Sequence, residues 1–85
     1  MDNDFDKYNE GDIELGLGVH KDTKQYHSMV YRNHKTPSGC DRFMLWLSCD
    51  IGFDTEKECL EHFKSTIDTL KEQGYKIINE EDFKV

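Results

Sequence analysis

The chain has 85 residues, enough for one small domain, since domains usually hold about 100 to 150 residues. Acidic residues number 18 and basic residues 11, so the formal net charge of -7 argues against attraction of the whole chain to nucleic acid or to an anionic membrane. No apolar run approaches the roughly 18 residues of a membrane helix, and the acidic start MDNDFDKYNE is unlike a signal peptide. We therefore expect a soluble, cytoplasmic protein.

The charge is distributed in three parts along the chain. Residues 1–14 have a net charge of -5, residues 15–49 have +3, and residues 50–85 have -5. Residues 1–11 show no apolar period, which predicts a flexible acidic N-terminal leader. The middle part is a basic band between two acidic ends.

The clearest strand signal follows the leader. Apolar and polar residues alternate over residues 13–20, which predicts a half-buried strand. A polar turn at residues 21–24 separates this run from residues 25–33, which are rich in β-favouring Tyr and Val, so the two runs predict a hairpin. Gly16 and Gly18 fall on the polar face, where they either let a large aromatic side chain lie over the backbone or mark a bulge.

A third strand is predicted over residues 42–51, after a loop rich in Asn, Pro, Ser and Gly. Strict alternation would place Leu45 and Leu47 on one face and Met44 and Trp46 on the other. Both faces are then apolar near the middle of the strand. This pattern is typical of a strand that is covered on both sides, or whose second face meets a partner.

Helix signals follow in order. Thr55 and Glu58 stand three residues apart as a capping box, and Gly74 is placed as a left-handed C-terminal glycine. Together these signals predict a helix over residues 56–73. Its apolar stripe would consist of Cys59, Leu60, Phe63, Ile67 and Leu70.

The predicted fold is an α+β domain in which a three-stranded antiparallel sheet carries one helix on one face. Residues 75–79 are a candidate short fourth strand. We expect residues 12–79 to form the single domain, between the leader of residues 1–11 and an acidic C-terminal tail of residues 80–85. One helix covers one face of the sheet, so the other face, with Trp46 and Met44 in particular, is solvated, covered by the leader or pressed on another molecule.

The cysteines favour free thiols. Cys40, Cys49 and Cys59 are odd in number and form no C-x-x-C pair, which argues for a reducing compartment and against a disulfide framework. No nucleophile is paired with a base in the sequence, so we expect no catalytic residue and no enzyme activity.

The histidines do not indicate a metal site. His20, His27 and His34 recur every seven residues, but this spacing alternates strand faces and a turn intervenes, so the period predicts no shared site. Cys59 and His62 are the one close pair of ligands, whereas tetrahedral sites usually show two. We expect no metal and no cofactor.

The basic band has the composition of a nucleic-acid surface, because its bases are interleaved with aromatic residues. The order of strands, then Phe53-Asp54-Thr55, then a helix also resembles the AP2-type and integrase N-terminal DNA-binding domains over residues 13–73. That resemblance implies a sheet that enters the major groove. Nucleic-acid binding through the hairpin of residues 20–35 is therefore the alternative function, with contacts from Lys21, Lys24, His27, Arg32, Lys35 and Arg42.

The leading hypothesis is a small non-enzymatic interaction protein. Its size and its charge fit a phage or mobile-element inhibitor or regulator, which would mimic DNA and bind a basic, nucleic-acid-binding surface of a host protein. Acidic helix residues would steer association and apolar side chains would supply the buried anchor. The acidic set is Glu58, Glu61, Asp68 and Glu72, and the anchor set is Trp46, Met44 and Tyr31.

Self-association is a further expectation. An open sheet face and a short edge strand are routes to a homodimer. A chain with this little apolar material gains core by pairing.

Overall fold

The computed structural model describes residues 7–83. Within them the chain forms a three-stranded antiparallel sheet and one long helix, which confirms the predicted α+β arrangement. The elements are, in chain order, β1 (Ile13–Val19), β2 (Tyr26–Asn33), β3 (Phe43–Ser48), α1 (Glu56–Glu72) and a 3₁₀ helix (Glu80–Phe83).

β2 lies at the centre of the sheet, with β1 on one side and β3 on the other. β1 and β2 pair without interruption, so that Leu15 lies opposite Val30, and both side chains are buried. The predicted hairpin is confirmed. Its turn is closed by Lys24, whose left-handed backbone has a φ of 62° and whose N–H donates to the carbonyl of His20 at 2.8 Å.

β3 contains a bulge that the sequence pattern did not reveal. Val30 lies opposite Leu47, but its neighbour Tyr31 lies opposite Leu45, so Trp46 is the extra residue. Opposed side chains share a face, which puts Leu45 on the open face of the sheet and Leu47 on the face that carries α1. The prediction that the two leucines share a face is therefore wrong, and Trp46 joins Leu47 on the helix side.

The helix begins and ends as predicted, to within a residue. Thr55 is the N-cap: its Oγ1 accepts the Glu58 N–H at 3.2 Å and donates to Glu58 Oε1 at 2.9 Å. Gly74 follows the helix with a φ of 89°, a conformation that glycine adopts without strain. The Tyr75 N–H then donates to the Leu70 carbonyl at 3.1 Å, which completes a Schellman cap.

The core lies between α1 and the β1–β2 half of the sheet. One stripe of α1 is buried against the paired apolar residues of the two strands, and Tyr75, Ile77 and Phe83 pack around its margin. This arrangement removes most of the large aliphatic side chains of β1, β2 and α1 from water, which is the main stabilising contribution. The buried apolar residues are Ile13, Leu15, Val30, Cys59, Phe63, Ile67 and Leu70.

The outer edge of β1 is covered by the segment after α1. The predicted fourth strand is not formed: residues 75–79 make only an isolated parallel bridge, between Ile77 and Ile13. The side chain of Asn79 then replaces a strand backbone, because its Nδ2 donates to the Leu15 carbonyl and its Oδ1 accepts the Leu15 N–H, both at 2.9 Å. The Asn79 side chain thus forms a clamp that hydrogen-bonds the backbone N–H and C=O of Leu15, at the edge where a fourth strand was expected to pair.

The two predicted terminal segments are partly described. In the segment expected to be the leader, the Tyr8 ring packs edge-on against Phe43 at 5.4 Å, and the Gly11 N–H donates to the Asn33 carbonyl at 2.9 Å. In the segment expected to be the tail, the Phe83 ring contacts Phe63 at 6.1 Å. Residues 1–6 and 84–85 lie outside the described part of the chain.

Among residues 7–83, no helix is both long and apolar enough to cross a membrane.

Candidate protein interface

The outward side of α1 carries an acidic ridge, defined here as Glu58, Glu61, Asp68 and Glu72. At about 100° per residue these four positions fall within an arc of roughly 80°, opposite the buried stripe. All four are exposed, and none forms an ion pair with a basic side chain within residues 7–83. The ridge therefore presents negative charge directly to solvent.

Lys71 lies beside the ridge but is engaged elsewhere. Its Nζ lies 2.9 Å from Glu80 Oε2 in the 3₁₀ helix. This hydrogen bond and the charge of Glu80, with a smaller contribution from the charge of Asp68 in the ridge, raise the pKa of Lys71 above its ordinary value of 10.5. The lysine stays charged, but its nearest carboxylate is outside the ridge.

A groove separates α1 from β3, because α1 packs over β1 and β2. Leu47 and Val30 form part of its floor, with Phe63 of the helix, and this part has a volume of about 220 Å³. Trp46 continues the groove toward the end of α1, in a part of about 310 Å³. The helix wall of this part is mostly polar and consists of Ser65, Thr66, Thr69, Leu70 and Gln73.

Trp46 is held at the end of this groove by an aromatic and cationic stack. Its ring lies 5.3 Å from that of Tyr75, and the Arg32 guanidinium lies 5.5 Å from the Trp46 ring and 5.8 Å from the Tyr75 ring. The buried Nε of Arg32 has no hydrogen-bond partner within the described chain, so stacking holds the guanidinium. Trp46 nevertheless keeps 37% of its surface exposed.

The third residue of the predicted anchor set lies on the other side of the sheet. Tyr31 is on the open face, where its ring lies over Gly16, and a Cβ added to that glycine would come within 3.0 Å of the ring. The prediction that a glycine admits an aromatic ring over the backbone is confirmed here. Met44 lies opposite Arg32 and so shares the helix side with Trp46. The structure therefore places Trp46 and Met44 on the helix side of the sheet, not on the uncovered face where they were expected, and places Tyr31 on the opposite face.

The predicted nucleic-acid residues do not form one patch. Lys21 and Lys24 lie in the turn at one end of the sheet, whereas Arg42 immediately precedes β3 at the opposite end. The three remaining residues already contact other groups of the protein. The Nδ1 of His27 lies 3.1 Å from the Cys49 carbonyl, Arg32 stacks on Trp46, and Lys35 Nζ lies 2.8 Å from Asp41 Oδ1.

Of the three cysteines, all of which are free thiols, Cys59 is buried and Cys40 and Cys49 are half-buried. Cys59 is fully buried, and burial, with smaller contributions from Cys49 and Glu56, raises the pKa of its thiol above the ordinary 9.0. The thiol is therefore protonated at neutral pH and is a poor nucleophile. Within residues 7–83 no group of three or more His, Cys, Asp or Glu side chains is placed to hold a metal ion.

Two spatial arrangements, one in the hairpin and one in the groove, were not predicted from the sequence. The hairpin brings His20 and His27 to 6.0 Å between ring centroids, because the turn folds the chain back on itself between them. The bulge at Trp46 puts two apolar side chains side by side in the groove. A two-sided apolar run in an edge strand was the signal that could have indicated the bulge.

No protein-family model, curated protein or solved structure matches the chain. The resemblance to AP2-type and integrase N-terminal domains thus rests on the order of elements and on Phe53-Asp54-Thr55 alone.

Proposed function

We propose that this protein is a non-enzymatic interaction module that binds a basic surface of another protein. The observation that carries the proposal is the position of the groove, which runs directly beside the acidic ridge. Thr69 and Ser65 line the groove and border the ridge on the helix surface. A single partner surface can therefore meet apolar and acidic groups at once.

The two parts of this surface have different roles. The exposed carboxylates of Glu61 and Asp68 raise the rate of encounter with a positively charged partner, and salt screens this effect. Trp46 and Leu47 bury apolar area once the partner has docked, and buried aromatic residues contribute a large share of binding energy at interfaces.

The finer proposal is an inhibitor or regulator of a nucleic-acid-binding host protein, of the kind that phages and mobile elements use. In this role the ridge occupies a groove that otherwise accepts phosphates, so the protein acts as a DNA mimic. The three free cysteines fit a reducing compartment such as the cytoplasm.

Capture from lysate with matched charge reversals tests the proposal. Tagged wild type is incubated with nuclease-treated host-type lysate, eluted by a salt gradient and analysed by mass spectrometry. We expect a stoichiometric basic protein, which a Glu61→Lys and Asp68→Lys variant captures poorly and releases at lower salt. The control is Glu81→Lys with Asp82→Lys, which makes the same change in net charge on exposed residues outside the ridge.

Two results would contradict the proposal. If the control reversal weakens capture as much as the ridge reversal does, bulk charge and not the ridge is responsible. If capture requires intact nucleic acid, the basic residues of the hairpin are the better candidates.

A further inference from the structure

β3 is an edge strand without the usual protection. Phe43 is half-buried, and the other five residues of β3 are exposed. Edge strands commonly carry a charged residue or a proline that discourages pairing with another chain, and β3 carries neither. Its bulge is the one protective feature, but it leaves two apolar side chains adjacent.

The two edges of the sheet are treated differently. The β1 edge is closed by Ile77 and by the amide clamp of Asn79. Along the outer edge of β3, by contrast, no strand of the described chain pairs. Its exposed apolar side chains lie on both faces, with Leu45 on the open face and Trp46 and Leu47 on the helix side.

We propose that the occupant of this edge is a second copy of the chain, paired antiparallel through β3. Charge supports this choice. An exposed base, Arg42, immediately precedes β3, and an exposed acid, Asp50, follows it by two residues. Antiparallel pairing sets the start of one strand against the end of the other, so Arg42 of each copy lies beside Asp50 of the other.

The resulting dimer has a two-fold axis perpendicular to one continuous six-stranded sheet. Both copies of α1 then lie on the same face, on either side of a floor made from the two β3 strands. The bulge in β3 shortens the regular hydrogen-bond ladder that the two copies can form. The exposed apolar side chains of β3, on both faces of the sheet, supply the contact area. Trp46 and Leu47 also line the groove of the proposed function, whereas Leu45 lies on the open face, so a Leu45 variant tests the dimer separately from that function.

Sedimentation velocity over a range of protein concentrations tests the dimer. The disrupting variant is Leu45→Lys, which places a charge on the edge at a side chain that is 57% exposed and outside the core. The control is Val19→Lys, which makes the same substitution at a side chain 55% exposed in β1. We expect Leu45→Lys to raise the dimer dissociation constant about tenfold or more, and Val19→Lys to leave it within about twofold of wild type. Circular dichroism establishes that both variants fold.

A charge swap tests the antiparallel arrangement. Arg42→Asp and Asp50→Arg should each weaken the dimer, because each sets like charges together, and the double variant should restore it. A wild type that stays monomeric at every concentration overturns the inference. So does a dimer that Leu45→Lys leaves intact, and a double variant no better than the single ones overturns the antiparallel pairing.

Discussion

At the residue scale, the side chain of Asn33 joins three segments of the chain. Its Nδ2 donates to the Asn9 carbonyl and to Asp41 Oδ1, both at 2.9 Å, and its Oδ1 accepts the Arg42 N–H at 2.8 Å. Asn33 is fully buried, so water cannot replace these bonds. This one amide therefore ties the N-terminal segment and the entry to β3 to the central strand.

We predict that Asn33→Ala lowers the free energy of unfolding by about 2–3 kcal/mol, because it removes three part-buried hydrogen bonds, one of them to a carboxylate. Urea denaturation followed by circular dichroism measures the change. Ser38→Ala, in the exposed loop between β2 and β3, is the control and should have little effect. A loss below about 1 kcal/mol for Asn33→Ala would show that the network is dispensable.

Asp41 gives the fold a dependence on acid pH. Burial acts to raise the pKa of Asp41, but hydrogen bonds from Lys35, Asn33 and the Tyr8 N–H, with the charge of Lys35, outweigh it and hold the pKa below the ordinary 3.8. A carboxyl whose pKa is lower in the folded state stabilises the fold at pH values above its unfolded pKa. That contribution is lost as the pH falls through 3.8 and toward the folded value.

We predict that the free energy of unfolding of the wild type falls as the pH is lowered through this window. Asp41→Asn should show a shallower fall, since it removes the titrating group. Chemical denaturation at a series of pH values gives the two slopes. Equal slopes in wild type and Asp41→Asn would rule out Asp41 as a source of the dependence.

At the scale of elements, the clamp made by Asn79 decides which edge of the sheet is closed. We predict that Asn79→Ala lowers the free energy of unfolding by about 1–2 kcal/mol, because it removes two hydrogen bonds to Leu15. The Leu15 amide should also exchange its hydrogen faster, which NMR detects. Unchanged exchange at Leu15 would mean that the clamp does not protect the strand.

The elements themselves could be predicted because local signals specified them. Alternation indicated β1, and Thr55 and Gly74 marked the ends of α1 to within a residue. These signals act over a few residues, which is the range that sequence patterns report.

Features that depend on distant contacts could not be predicted. The bulge at Trp46 follows from how β3 packs beside β2. At the β1 edge, the predicted fourth strand is replaced by the side-chain amide of Asn79, which bonds Leu15 from 64 residues away in the sequence. The same applies to the anchor set, because strand pairing and the bulge place Tyr31 opposite Leu45 on the open face, while Trp46 lies on the helix side.

At the scale of the whole molecule, the limited extent of the core explains why β3 exposes apolar side chains. One helix covers the β1–β2 half of the sheet and leaves β3 with apolar side chains in water. The acidic ridge lies on the outward side of that same helix. The molecule thus has one closed edge and one open edge, and our account assigns the open edge to contact with another chain.

Amide hydrogen exchange, followed residue by residue by NMR at low and high protein concentration, tests that claim most directly. We predict that β1 amides facing residues 76–79 are protected at both concentrations. The β3 amides that do not donate to β2 should exchange quickly in dilute solution and become protected as the protein is concentrated. If those β3 amides exchange equally fast at every concentration, or are already protected in a dilute monomer, β3 is not an open edge that takes a second chain and the account is contradicted.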